Sequence, residues 1–206
     1  MRFSTTTLLA SVGTTVTALN PSCAPGGNFD LSKWSLQEPV AGSDGQPRSI
    51  SSSQLQGCNG YKDQWFSTGS DGSMVLKVPE RSQCVTTPNS QHCRSELHET
   101  GATWDPKAAK NRLFAEVQVT KNAGEVCVGQ IHIDGSKSTK PVAELYLNSS
   151  GQLNLGVNTC LTCSQKRSPV GSVGSGNARF TYEIRYEGGK LSVGHQWRSA
   201  KDLLNL

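Results

Sequence analysis

The 206-residue sequence predicts an all-β domain built as an antiparallel β-sandwich. Three observations carry this. Short runs of alternating apolar and polar residues recur along the chain, with turn residues between them, and extended helical periods are missing. Two pairs of these runs flank loops that read as hairpins. Gly is frequent (21 residues), and charged residues are only 17% of the chain, too few for a coiled coil or a disordered acidic tail.

Residues 1–18 have the order of a secretory signal. Arg2 is the basic start, Leu8, Leu9, Ala10, Val12 and Val16 form a short apolar stretch diluted by Thr, and Val16-Thr17-Ala18 is a small-residue cleavage site. The stretch is too short and polar to span a bilayer, so the sequence predicts a secreted, extracellular protein with no membrane partner. Residues 19–206 then form one domain, long enough to bury a core.

Residues 19–28 are a Pro/Gly-rich lead-in. Phe29-Asp30-Leu31-Ser32-Lys33-Trp34-Ser35-Leu36 starts the fold, and the Gly/Ser/Gln-rich residues 41–60 read as a long surface loop. Met74-Val75-Leu76-Lys77-Val78 is a short strand closed by Pro79, a polar loop covers 81–92, and 93–99 alternate as a strand. Residues 113–119 and 125–133 are two further strands. The runs 143–147 and 153–157 flank the turn Asn148-Ser149-Ser150-Gly151, and 179–186 and 190–193 flank Glu187-Gly188-Gly189.

Seven cysteines in so short a chain fit an oxidising compartment. The odd count leaves at least one free. Cys127, inside an apolar strand, is expected to be a buried thiol, and the other six allow 15 pairings. We expect Cys84 and Cys93 to bridge the polar loop that precedes Arg94. Cys160-Leu161-Thr162-Cys163 has CxxC spacing, but no second CxxC and no βαβ pattern accompany it to support a zinc or thioredoxin-like reading. Asn148-Ser149-Ser150 is a glycosylation sequon.

The formal charge is +4, or +3 once Arg2 leaves with the leader. That permits a polyanionic partner without demanding one. Lys/Arg runs interleaved with aromatics are lacking, which argues against nucleic acid. A monomer is expected.

Period 2 places candidate chemistry on two strands. In 125–133, Cys127, Gly129, Ile131 and Ile133 fall on one face, the core face. Val126, Val128, Gln130 and His132 fall on the other, so an amide and an imidazole point the same way. In 93–99, Arg94, Glu96 and His98 share a face, with Leu97 behind. A solvated polar sheet face with an Arg–Glu pair gives the same pattern, since exposed faces of antiparallel sheets are routinely polar.

These motifs carry a resemblance. Arg94-Ser95-Glu96-Leu97-His98 resembles the Arg-x-Glu-Leu-Arg motif of polysaccharide lyase family seven, the alginate lyases, and Gln130-Ile131-His132 is similar to that family's second motif, in the same order. The opening 29–36 and the late Tyr186-Glu187-Gly188-Gly189-Lys190-Leu191-Ser192-Val193 are also similar, so the resemblance runs over residues 29–193.

It implies a β-jelly roll with a concave groove for an acidic polysaccharide, alginate or another polyuronate, and β-elimination with no metal or other cofactor. By the same resemblance Arg94 holds the substrate carboxylate and Gln130 helps neutralise it. His132 neutralises it or serves as base, depending on the uronate epimer, and Glu96 orients Arg94. His98 stands where the family often has a second arginine, which weakens the positive field there.

The family's third motif, Tyr-Phe-Lys-Ala-Gly-x-Tyr, supplies the tyrosine that delivers the leaving-group proton. None of Tyr61, Tyr146, Tyr182 and Tyr186 has that context. Tyr182 and Tyr186 alternate with Phe180 and Ile184, which reads as core packing. The final strands are therefore expected to be missing or altered after about residue 193. A carbohydrate-binding jelly roll that keeps the groove and is catalytically impaired is the alternative. A glycoside hydrolase needs two carboxylates across the groove, and Glu96 has no evident partner.

Overall fold

The computed structural model describes residues 18–88, 90, 92–101, 103–174 and 177–197. The expected signal segment falls outside these residues except for Ala18, as does the tail 198–206. The chain forms two compact units, one ending at Gly101 and one starting at Ala102.

In the first unit, β1 (Trp34–Ala41) pairs antiparallel with β2 (Pro47–Ile50) on one side and with β5 (Glu96–Glu99) on the other. A separate hairpin joins β3 (Phe66–Thr68) to β4 (Met74–Leu76). Leu31, Leu36, Ile50, Leu55 and Phe66 form the core. Two of these, Ile50 and Leu55, come from the segment expected to be a surface loop. It instead holds β2 and a one-turn helix, α1 (Ser52–Leu55), capped by Ser51 and Gln54. Its Gly/Ser/Gln composition masks two apolar anchors spaced too far apart to show a period.

Cys23 and Cys58 are bonded beside this core, and Cys84 bridges Cys93 as expected. Glu38, on β1, is fully buried. Its Oε2 accepts from the Tyr61 hydroxyl at 2.9 Å and from Arg48 at 3.3 Å, while Tyr61 also reaches Asp63 at 3.1 Å.

The second unit is a sandwich of two antiparallel sheets. One has the order β10-β9-β8-β7, from Lys166–Ser172, Gln152–Val157, Ala143–Asn148 and Glu125–Ile131. The other has the order β12-β11-β6, from Lys190–Trp197, Arg179–Glu187 and Arg112–Gln118. Ile131, Ala143, Leu145, Leu147 and Leu153 from the first sheet meet Phe180, Tyr182 and Ile184 from the second in one core, with Tyr186 packed against it. The second predicted hairpin turns at Gly188-Gly189, whose φ of 55° and 75° suit the primed turn that such a two-residue loop takes. β10, whose polar surface and Pro169 hide its strand character, was not legible.

β7 departs from the expected alternation. Val126 pairs with Leu147 and Cys127 with Tyr146, but the next partner, Leu145, faces Gly129. Val128 is thus an extra residue, a β-bulge, and it switches the inward parity from even to odd numbers. Val126 and Val128 pack against the core before the switch, and Ile131 is buried after it. Cys127 is therefore not a buried thiol. It is not disulfide-bonded and is exposed, on the face that carries Gln130.

Candidate active site

Each half of the expected site is built locally. In the first unit Leu97 lies opposite Leu36 in the β1–β5 ladder and faces the core, which turns Glu96 and His98 the other way. Arg94 precedes the strand rather than lying in it. The three side chains still converge: Glu96 Oε1 lies 3.4 Å from Arg94 Nε and 2.8 Å from His98 Nε2. The Arg94 guanidinium also donates through Nη2 to Thr87 Oγ1 at 2.8 Å. Thr87 sits inside the loop closed by the Cys84–Cys93 bridge, so the bridge fixes a partner of Arg94.

In the second unit, β7 ends at Ile131, and His132 is the next residue. Gln130 is half-buried, Ile131 is buried and His132 is exposed, so the amide and the imidazole alternate about an anchored apolar residue. Gln130 stands opposite Glu144 on β8, and Tyr146 follows on the same face. Gln165 Nε2 donates to Glu144 at 2.5 Å. Arg167 on β10 stacks over the Tyr146 ring at 3.8 Å and pairs with Glu125 at 2.5 Å. Burial, and the Glu144 carboxylate that accepts its hydroxyl, hold the Tyr146 phenol above the ordinary range. Sequence reasoning passed over Glu144, Gln165 and Arg167. Period 2 on β8 flags Glu144, but Gln165 and Arg167 need the β9–β10 register, which no local signal gives.

Hydrogen bonding pairs β5 with β1 in the first unit and β7 with β8 in the second.

The phenols are unequal. Tyr182 is in the core and its hydroxyl donates to the Val128 carbonyl, Tyr186 packs at the core's edge, and Tyr61 belongs to the Glu38 cluster. Tyr146 alone shares a sheet face with Gln130. Among the described residues, no group of three or more His, Cys, Asp or Glu could hold a metal ion, and no helix is long and apolar enough to cross a membrane.

Antiparallel sheets, a packed sandwich and polar side chains aligned on an outward sheet face define an all-β protein of the jelly-roll class. The chain belongs to the alginate lyase family, whose model matches residues 29–202. The match reaches past residue 193, where the sequence resemblance was expected to stop, and β12 itself continues to Trp197.

An alginate lyase of Klebsiella pneumoniae is 44% identical over 78 residues, which is 37% of this chain and 24% of that protein. The chain thus spans about a quarter of that curated relative. Among solved structures, a variant of the family 7 alginate lyase A1-II' in complex with product (GGG) matches with a TM-score of 0.72 and 30% identity, over 84% of this chain and 77% of that one. A second variant of that lyase, in complex with substrate (GGMG), matches with a TM-score of 0.69 and 31% identity, over 90% and 81%.

Proposed function

We propose that this chain is a secreted polysaccharide lyase that binds alginate or a related polyuronate and cleaves it by β-elimination. The observation that carries the reading is the placement of Gln130 and His132 about buried Ile131 at the end of β7, within a chain of the alginate lyase family. Solved relatives at about 30% identity hold product and substrate oligosaccharides.

The chemistry sets the demands. Carbon 5 of the uronate must lose its proton beside the carboxylate, and the glycosidic oxygen on carbon 4 then leaves. An ionised carboxylate makes that carbon a very weak acid, so charge building on the carboxylate must be neutralised. Arg94 supplies a fork of donors, with Glu96 orienting it. Gln130 supplies an amide donor. His132 donates to the carboxylate or takes the carbon-bound proton, depending on the uronate epimer. His98, paired with Glu96, contributes to binding.

A second reading, a jelly roll that binds the polysaccharide and is catalytically impaired, is favoured by one observation: none of the four tyrosines has the family's third-motif context. We also propose secretion through residues 1–18, a monomeric state, and a glycan at Asn148, where the sequon forms an exposed hairpin turn. Ser150 Oγ donates to Asn148 Oδ1 there at 2.7 Å. Absorbance of the unsaturated product from an alginate oligomer, measured beside calorimetric binding, tests the two readings. Product supports the lyase, and binding without product supports the impaired form.

A further inference from the structure

The loop that carries the chain from His132 to β8 is tied to a neighbouring turn. Lys140 Nζ donates to the carbonyl oxygens of Thr162 at 3.2 Å and Cys163 at 3.1 Å, and Ser138 Oγ donates to that of Leu161 at 3.4 Å. Asn158 Nδ2 donates to the Pro141 carbonyl at 2.6 Å. The acceptors for Lys140 and Ser138 are thus three consecutive carbonyls, in the turn closed by the Cys160–Cys163 disulfide. An open tetrapeptide would not hold three successive carbonyls toward one loop. The short disulfide ring, with Cys163 N donating to Cys160 O at 3.3 Å, does so.

This disulfide is also reachable. Cys160 is exposed and Cys163 half-exposed, whereas Cys23 of the Cys23–Cys58 pair is buried. Its two cysteines lie only 3 residues apart, against 9 and 35 for the other bridges. A loop that short removes the least chain entropy from the unfolded state. Opening it should change local geometry while leaving the fold intact.

We propose that the Cys160–Cys163 turn is a redox-sensitive anchor for the loop after His132, with Lys140 as the positioning residue. The inference rests on the polyuronate reading of His132. A dithiol reductant opens the turn by thiolate attack on one sulfur, and its second thiol then resolves the mixed disulfide. Two electrons and two protons pass to the protein, the S–S bond becomes two S–H groups, and the reductant becomes a disulfide. The three carbonyls then diverge, Lys140 loses its acceptors, and the loop no longer fixes the imidazole at its start. Losing hydrogen bonds of this kind should weaken oligouronate binding by about fivefold.

The test uses the full chain, with amide hydrogen exchange over residues 133–141 and calorimetric binding of an alginate tetramer as readouts. Cys160→Ser/Cys163→Ser and Lys140→Ala should each speed exchange in that loop and weaken tetramer binding. Combining them should add nothing further, and Lys140→Arg should retain the wild-type values. Under limiting dithiothreitol, alkylation should label Cys160 and Cys163 before the other four bonded cysteines. Unchanged loop exchange in both variants, additive effects, or labelling of another pair first would each overturn the anchor. If the wild-type chain binds no tetramer, the polyuronate reading fails by itself and the exchange and labelling arms still decide the anchor.

Discussion

Gln130 stands directly opposite Glu144 in the β7–β8 ladder, on the same outward face as Cys127, because Val128 is an extra residue between them. The bulge lets Val126 and Val128 pack inward on one side of it and Ile131 on the other, with Gln130 left facing out.

That geometry depends on Gly129. A Cβ there would lie 2.5 Å from the Tyr182 hydroxyl oxygen and 2.9 Å from two of its ring carbons. Tyr182 cannot retreat, because it is buried and its hydroxyl donates to the Val128 carbonyl. Gly129→Ala should cost about 1–3 kcal/mol of stability, as overpacked cores do. Denaturant melts check this, and an unchanged midpoint would contradict the close approach.

Arg94 should depend on Thr87, which accepts its guanidinium at 2.8 Å from within the Cys84–Cys93 loop. Thr87→Val should weaken binding of an alginate tetramer by about 2- to 10-fold, the range for one lost hydrogen bond, with little change in melting temperature. Cys84→Ser/Cys93→Ser should weaken it at least as much. Calorimetry on both variants decides this, and wild-type affinity in both would remove Thr87 from the positioning of Arg94.

Glu38 makes stability pH-dependent. Burial raises its carboxyl above the ordinary 4.5, against the hydrogen bond from Tyr61. The folded state then holds the proton more tightly than the unfolded one. This contribution is fully present below about pH 4.5 and is lost as pH rises through the raised value. Glu38→Gln has no such proton. Its melting temperature relative to wild type should therefore climb between pH 4.5 and neutrality. A difference that is flat or falls over this window would contradict the assignment.

Tyr146 shares a face with Gln130, yet its ring is covered by Arg167 and its hydroxyl is engaged by Glu144. It should not replace the family's proton-donating tyrosine. Tyr146→Phe should leave any slow elimination within about twofold of wild type, whereas loss of a general acid typically costs about 100- to 10,000-fold. A loss of that larger size would place the donor at Tyr146.

The strands of the second unit were legible because each buries one face, which writes period 2 into the sequence at Phe180, Tyr182 and Ile184 or at Ala143, Leu145 and Leu147. Cys127 was misplaced because a bulge leaves no local mark: Val128 reads as an ordinary strand residue until its partner is known. Arg94, Glu96 and His98 were legible as a group because Leu97 fixes the parity of β5, and their convergence on Glu96 follows. Glu38 went unnoticed because a lone glutamate gives no sign of being buried.

The most direct test of the polyuronate site is calorimetric titration of an alginate tetramer into the purified chain and into His132→Ala and Gln130→Ala, with absorbance of the unsaturated product followed in the same samples. We expect weak binding and slow product formation in the wild-type chain. The product should fall to background in His132→Ala, and binding should weaken in both variants. No binding by the wild-type chain, or binding and product unchanged by both substitutions, would contradict the assignment of this face as the site.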